Sequence, residues 1–411
     1  MATTKDKVMQ AMRELPQLPV AVQKLLAVMR DENSSADDVT KVLSSDQALA
    51  GKILKLVNSS FYGMSGEVST ITRAVVVLGF SGVRNVAMGF GMVSALKKLG
   101  GVSLATFWDH AIATGAGAQA MAPRLGSGHD PEEAFIAGLM HDVGHVVLAS
   151  AVPQEWAEAQ ERVQAGGDPI AIEKDLLGMS HASVGQRLMA YWQLPTPLAE
   201  AARWHHNLKI AAGREQPLTT LTALGDVLAC IHGGTFEAPP SEADLGRLLR
   251  LSCLEISHVR EALAGMDGRI EEMKVFLKIA DDGESLTTNG GPCAGQAGRS
   301  VVLSSDQERV AWVGGLLEHF GCPGFPLRAY FEQEAGHQDV RLVVLDPNSL
   351  TKPQLQKILP FLDQQAATIC VLRDSEPGPI AELLLQRYPA LPYVFTRRDV
   401  AVLLATETAR T

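Results

Sequence analysis

The residue pattern changes once along the chain, after a segment rich in small and polar residues. Through residues 1–280, apolar residues recur at three- and four-residue intervals, as in Val83–Leu96, and this predicts helix after helix. Residues 281–299 lack that periodicity and are rich in Gly, Ser, Thr and Asn, which is typical of a flexible linker. Over 300–411, short β-branched runs alternate with helical segments, which predicts an α/β domain with a mostly parallel sheet.

Composition narrows the class of protein. The 411 residues are 46% hydrophobic and 20% charged, as in a globular chain of more than one domain. A net charge of -10, with no cluster of Lys and Arg, argues against nucleic-acid binding. The apolar runs are shorter than a membrane span, and the five cysteines form no CxxC pair. We therefore predict a cytoplasmic protein that binds neither membranes nor nucleic acids.

The helical region contains an ordered series of histidines and acids that is typical of a metal site. Imidazole and carboxylate together suit a divalent Fe, Mn, Zn or Co ion. His141-Asp142 is predicted to lie within an apolar helix, so these polar groups need partners inside the protein, while Gly138 and Gly144 let other backbone come close. The candidate metal ligands are His110, His141, Asp142, His181, His205, His206 and Asp226.

Two observations leave a purely structural interpretation open. A buried histidine can simply form hydrogen bonds within the core. The adjacent His205 and His206 can share one centre only near a helix end or with two metal ions, because neighbours on a helix point about 100° apart. A second His-Asp pair, His129-Asp130, precedes Pro131 and is predicted to lie in a loop.

The ordered motifs from about Leu15 to Ala229 resemble the HDOD domain. They include LPQLP, ITRAVVVLGFSGVRNVAMG, EEAFIAGLMHDVGHVVL, SHASVGQRLMAYWQLP and AARWHHN. The resemblance implies a helical HD-like fold of two lobes, within the predicted helical domain of residues 1–280. It also implies a regulatory or scaffold role in bacterial signal transduction, exerted through other signalling proteins or a homodimer rather than by catalysis. This is the leading hypothesis, with a metal ion in the HD-type pocket.

The catalytic relatives of this domain are the HD phosphohydrolases, which include the HD-GYP enzymes that cut cyclic di-GMP. Their ligand order matches the seven candidates, which implies an alternative: a metal-dependent phosphohydrolase acting on a nucleotide or cyclic dinucleotide. The chain departs from the HD-GYP pattern at three places. His145 replaces a lysine, no GYP motif follows His206, and Thr106 replaces a glutamate one turn before the first histidine.

The C-terminal region resembles a degenerate response-regulator receiver. Asp346 follows a strand at the position of a phosphoacceptor, but Ser304-Ser305-Asp306 replaces the acidic pair, and Arg373 and Thr396-Arg397 stand where a hydroxyl residue and a lysine are expected. We predict a pseudo-receiver used for dimerisation or docking, in which Asp346 is not phosphorylated. The predicted strands are Val301–Leu303, Leu327–Phe331, Val340–Leu345, Thr368–Leu372 and Pro392–Phe395.

Overall fold

The computed structural model describes the helical region and much of the C-terminal region. The described residues are 3–14, 17–31, 33–59, 66–97, 104–126, 128–164, 167–207, 210, 216–233, 242–280, 299–320, 322, 324, 340–351, 353, 356, 358–359, 367–373, 379–392, 395 and 399–400. The predicted linker therefore lies outside the described residues, except for Arg299, which begins the first strand.

The part of the chain before residue 281 is helical, as its periodicity predicts. Several helices begin at a polar cap: Ser35 and Asp38, for example, form a capping box, which satisfies backbone N–H groups that have no partner within the helix. The helices are α1 (Thr4–Arg13), α2 (Val20–Arg30), α3 (Ala36–Ser44), α4 (Gln47–Val57), α5 (Ile71–Leu96), α6 (Leu104–Leu125), α7 (Pro131–Met140), α8 (Val143–Ala151), α9 (Pro153–Gln164), α10 (Pro169–Leu177), α11 (His181–Tyr191), α12 (Thr196–Trp204), α13 (Pro217–His232), α14 (Glu242–Leu251), α15 (Ile256–Ala264) and α16 (Met266–Ala280).

The C-terminal part contains a small parallel sheet. Its strands are β1 (Arg299–Leu303), β2 (Val340–Leu345), β3 (Thr368–Arg373) and β4 (Ala390–Pro392), and they lie side by side in the order β1-β2-β3-β4. Helices α17 (Gln307–His319) and α18 (Pro379–Leu385) follow β1 and β3. The parallel sheet is confirmed, and the receiver-like fold stays a prediction.

The predicted strand Pro392–Phe395 is displaced, because β4 has already begun at Ala390 and its described part ends at Pro392. The predicted strand Leu327–Phe331 lies outside the described residues. Gly324, just before it, forms a parallel bridge to Ser300 of β1. Since Ser300 also pairs with Leu342 of β2, Gly324 lies on the other side of β1.

One apolar core runs from the helices into one face of the sheet. Leu342 and Val344 of β2 belong to the same buried cluster as Trp312 of α17 and most of the helical core. Val343 and Leu345, which alternate with them, pack into a separate cluster on the opposite face. Both faces of the strand are therefore covered, which is why its residues 342–345 form a continuous apolar run.

The helices α6, α7 and α13 approach one another at glycines. A Cβ on Gly225 of α13 would lie 2.3 Å from the carbonyl oxygen of Thr114 in α6. A Cβ on Gly138 of α7 would lie 2.7 Å from the Cα of Gly115, also in α6. Only glycine permits backbones to pack this closely, so the close approach predicted at Gly138 is present.

Two stretches of the described chain are long and apolar enough to cross a membrane, Ile71–Leu96 and Pro131–Ala151. In the most apolar 18-residue part of each stretch, 67% of the residues are buried in the first and 89% in the second. Their apolar character is therefore accounted for by packing in the helical core.

Candidate metal centre

The structure brings all seven predicted ligand residues to one place. His110 projects from the second turn of α6, Asp226 from the middle of α13, and His181 is the first residue of α11. His205 and His206 directly follow the end of α12, the helix-end arrangement that adjacent histidines need to share a centre.

The position of the His-Asp pair corrects one expectation. The sequence predicts His141 and Asp142 within an apolar helix, but they form the break between α7 and α8. His141 follows the last residue of α7, and Asp142 has φ -101° and ψ 12° immediately before α8. Because the chain bends there, both side chains point to the same centre. The other pair, His129-Asp130, lies in a loop as predicted, where Asp130 caps α7.

The first ligand group consists of His110, His141, Asp142 and Asp226. His110 Nε2 lies 3.3 Å from His141 Nε2, 3.2 Å from Asp142 Oδ2 and 3.4 Å from Asp226 Oδ1. His141 Nε2 lies 3.3 Å from Asp142 Oδ2. Atoms that bind one ion at about 2.0–2.2 Å are separated by distances of this size, so the group has the spacing of a coordination shell.

The second ligand group shares Asp142 with the first and adds His181, His205 and His206. Asp142 Oδ1 lies 3.5 Å from Nε2 of both His181 and His205. His206 Nε2 lies 3.1 Å from His181 Nε2. Asp142 thus directs Oδ2 to one group and Oδ1 to the other, the arrangement of a carboxylate that bridges two ions.

In three of the histidines, a hydrogen bond made by Nδ1 on the far side of the ring orients Nε2 toward the centre. His141 Nδ1 donates to the carbonyl oxygen of Gly138 at 2.7 Å, and His205 Nδ1 donates to that of Ala202 at 2.9 Å. His181 Nδ1 donates to Glu173 Oε2 at 2.7 Å. A proton held on Nδ1 leaves the Nε2 lone pair available, which is how metal-binding histidines are usually oriented.

The buried polar atoms fit a metal ion. Asp142 is 2% exposed, and its Oδ1 has no hydrogen-bond partner among the residues that the structure describes. A buried carboxylate oxygen in that state is costly unless a cation compensates it. Burial raises the pKa of Asp142, but the electrostatic effect of His141 and His145 and the contact with His110 lower it by more, so its pKa lies well below the ordinary value. The carboxylate is therefore ionised.

His205 and His206 of the second group are neutral at neutral pH. Burial lowers the pKa of His205 and, together with the charges of His205 and His181, holds the pKa of His206 well below its ordinary value. Neutral imidazoles can donate lone pairs to an ion, whereas protonated ones cannot.

Glu173 is the functional residue that the sequence does not reveal. It is fully buried in α10, and its Oε2 accepts hydrogen bonds from both the backbone N–H and Nδ1 of His181, each at 2.7 Å. Its only local signal is its place on the apolar face of the helix, three residues after Ile170 and four before Leu177. Burial raises the pKa of Glu173, but His181 and His145 lower it below the ordinary value, so it is an anion.

His145, at the position of the lysine in the HD-GYP pattern, belongs to this outer layer. Its ring stacks on that of His181 with centroids 4.1 Å apart, and its Nδ1 lies 3.5 Å from Glu173 Oε1. Trp156 Nε1 approaches the same nitrogen at 3.5 Å. His145 is 1% exposed, so it supports His181 and presents no cation to solvent.

Replacing Glu173 with Gln should weaken metal binding about 10- to 100-fold without unfolding the protein. Gln keeps the shape and can still accept a hydrogen bond from His181. The negative charge of Glu173, which makes the His181 Nε2 lone pair a stronger ligand for the metal ion, is lost. Metal titration of the purified variants measures the change. Glu155→Gln on neighbouring α9, which removes only the partly exposed contact with Lys7 at 3.4 Å, should leave the affinity unchanged. Equal affinities in both variants would contradict a role for Glu173.

The metal-free protein should lose stability as the pH falls from about 6.5 to about 4. Burial, followed by the charge of His181, lowers the pKa of His145 to about 4. The unfolded chain takes up this proton near pH 6.5, the folded chain only near pH 4, so acid favours unfolding. One such histidine accounts for about 3 kcal/mol. Urea unfolding in EDTA between pH 7.5 and 4 measures this loss, which His145→Gln should reduce. Equal pH dependence in both proteins would refute the assignment.

Asp346, the predicted non-phosphorylated acid of the C-terminal part, is fully buried. Its Oδ2 accepts hydrogen bonds from Ser304 and Ser349, both at 2.7 Å, and its Oδ1 lies 3.3 Å from Arg309 Nη1. Phosphorylation would have to break these contacts, which supports the prediction that Asp346 has a structural role.

The HDOD domain model matches residues 15–208. An uncharacterized protein of Treponema pallidum (strain Nichols) is 28% identical over 215 residues, and the match covers 52% of this chain and 42% of that protein. The chain thus spans less than half the length of this curated relative.

Solved structures show the same fold. A protein of Shewanella amazonensis SB2B, provisionally named a phosphohydrolase, is 27% identical with a TM-score of 0.52, and the match covers 68% of this chain and 98% of that one. A provisionally named signal transduction protein of Marinobacter aquaeolei VT8 is also 27% identical with a TM-score of 0.52, and the match covers 68% of this chain and 65% of that one.

The fold and the site define a helical domain of the HD type with all seven candidate ligand residues gathered at its centre. More specifically, residues 15–208 form an HDOD domain, as the sequence motifs predict. Asp226, the seventh residue, lies beyond that range on α13, which packs against α6.

Proposed function

We propose that this chain binds two divalent metal ions and is a metal-dependent phosphohydrolase that acts on a phosphate ester of the nucleotide class. The observation that carries the proposal is the position of Asp142, whose two oxygens face two separate groups of ligand atoms. Each group has three ligand residues of its own beside the shared carboxylate.

The seven ligand residues have distinct roles in this proposal. His110, His141 and Asp226 would hold one ion, His181, His205 and His206 would hold the other, and Asp142 would contact both. Bound ions would supply Lewis acidity toward a phosphoryl oxygen and make water a better nucleophile at neutral pH. Asp226, with 15% of its side chain exposed, and the half-buried His206 form the side of the centre that solvent reaches. Substrate would approach from that side.

A second candidate function is a signalling module that holds metal but does not turn over a substrate. The replacement of lysine by His145 favours it, since His145 is buried against Glu173 and offers no charge to a phosphate. The enclosure of the centre, where four of the five histidines are at most 2% exposed, also fits a regulatory role exercised through protein contacts.

Metal content and turnover together test the two candidates. The full chain is purified without chelator, its metal is counted by mass spectrometry, and it is assayed with bis(p-nitrophenyl) phosphate and a panel of nucleotides and cyclic dinucleotides. About two ions per chain, with hydrolysis that His141→Ala abolishes, is the result expected of the hydrolase. Two ions without turnover would support the signalling module. Absence of metal in the protein, even after incubation with Mn²⁺, Fe²⁺ or Zn²⁺, would overturn both.

A further inference from the structure

A second group of potential metal ligands lies outside the HD centre, where the helical part meets the α/β part. We call it the interface cluster, and it consists of His232, Asp267 and His319. His232 is the last residue of α13, Asp267 lies in the first turn of α16, and His319 is the last residue of α17. Two ligands therefore come from the helical part and the third from the α/β part.

The distances within the interface cluster suit one ion. His232 Nε2 lies 2.9 Å from Asp267 Oδ1, and the rings of His232 and His319 have centroids 5.8 Å apart. One ligand atom from each of the three residues lies within 4.8 Å of the other two. Ligand atoms around a tetrahedral ion with bonds of about 2.0–2.1 Å lie about 3.3–3.4 Å apart, so the more distant pairs would have to close by up to about 1.5 Å through side-chain rotation.

The electrostatics at this position favour a cation. α13 and α17 both end at the cluster, so the negative ends of two helix dipoles and the carboxylate of Asp267 meet there, opposed by the positive end of α16. Asp267 alone would be weak evidence, because its place in the first turn of α16 already favours an acid. Convergence of two imidazoles from separate helices on this carboxylate is the informative feature.

The cluster also leaves room for solvent ligands. The side chain of Asp267 is 59% exposed and that of His232 is 15% exposed, so an ion can enter and water can complete its coordination. Two nitrogens and one carboxylate oxygen are a ligand set that zinc, nickel and cobalt accept in proteins.

We infer that the interface cluster binds a first-row transition-metal ion of the zinc class, which joins the helical part of the chain to its α/β part. α17 is the element through which this link acts. It packs on α15 and on β1, and its Trp312 is buried in the core that both parts share. An ion held by His319 would fix the end of that helix to α13 and α16. This inference is independent of the function proposed for the HD centre.

The test is a count of zinc ions bound per chain in full-length variants. Zn²⁺ is titrated into metal-free wild-type protein, His319→Ala and His232→Ala by calorimetry, and bound zinc is confirmed by mass spectrometry after dialysis. Each variant should bind one ion fewer than the wild type, or bind that ion at least about 10-fold more weakly, because loss of even an outer-shell partner has an effect of that size.

The design separates this site from the HD centre. His141→Ala should lose the metal of the HD centre and retain the interface zinc. The loss of one zinc ion in His319→Ala or His232→Ala can therefore be measured whatever the HD centre binds. His129→Ala, a loop histidine in neither site, is the matched control and should bind as many ions as the wild type. Circular dichroism checks that each variant is folded. An unchanged zinc count and affinity in His319→Ala, or a loss in His232→Ala alone, would overturn the inference.

Discussion

Asp142→Asn should remove both metal ions and reduce the affinity for each by at least about 100-fold. Asn has the same shape but carries no charge, and it cannot offer an anionic oxygen to both ligand groups at once. Loss of an outer-shell partner already costs about 10- to 100-fold, and loss of a shared ligand costs more. Metal content, metal titration and phosphodiester turnover measure the effect. Turnover should fall with the metal content.

The chain provides its own control in the second His-Asp pair. Asp130→Asn makes the same chemical change next to His129, in a loop where Asp130 accepts a hydrogen bond from the backbone N–H of Glu132 at 2.9 Å. Asn caps helices as well as Asp does, so stability and metal content should both stay at the wild-type level. If Asp142→Asn retained both ions, Asp142 would not be a bridging ligand and the two-ion proposal would fail.

Gly144→Ala should destabilise the fold by more than about 3 kcal/mol. A Cβ at this position would lie 2.0 Å from the carbonyl oxygen of His181 and 2.9 Å from the backbone nitrogen of Gly185. These are backbone atoms of α11, so no side-chain rotation can make room, and α8 and α11 must move apart. The shift would displace His181 and weaken metal binding as well. Urea unfolding of the metal-free protein measures the stability alone.

Gly51→Ala is the matched substitution where space is available. Gly51 lies exposed in the middle of α4, with no atom within 4 Å of the position a Cβ would take. Alanine should therefore stabilise the protein by about 0.5–1 kcal/mol through its higher helix propensity. A stability of Gly144→Ala within 1 kcal/mol of the wild type would show that α8 and α11 are not packed as closely as described.

The proposed metal binding depends on how closely the helices pack. The ligands come from several helices, and they meet only because glycines let backbones approach within van der Waals contact. A change that touches no ligand, such as Gly144→Ala, should therefore affect metal binding through the position of His181. Glu173→Gln acts on the same histidine through its outer hydrogen bond, with the backbone left in place.

The sequence by itself determined the local structure and the candidate ligands. Helical periodicity, capping residues and β-branched runs depend on neighbours within a few positions, so the helices before residue 281 and β2 (Val340–Leu345) were predictable. The seven ligand candidates were identifiable because imidazole and carboxylate in an apolar stretch need internal partners. The motifs also predicted the HDOD domain, which the comparisons confirm.

Only the tertiary structure decided which groups meet across elements. Glu173 reaches His181 because α10 lies against α11, and His145 turns to that pair rather than to a substrate. His319 lies 87 positions after His232, and α17 brings them together by packing on α15. Periodicity specifies which face of a helix is buried, but the distance between two helices depends on how all side chains at their contact fill space. That information is not local in the chain.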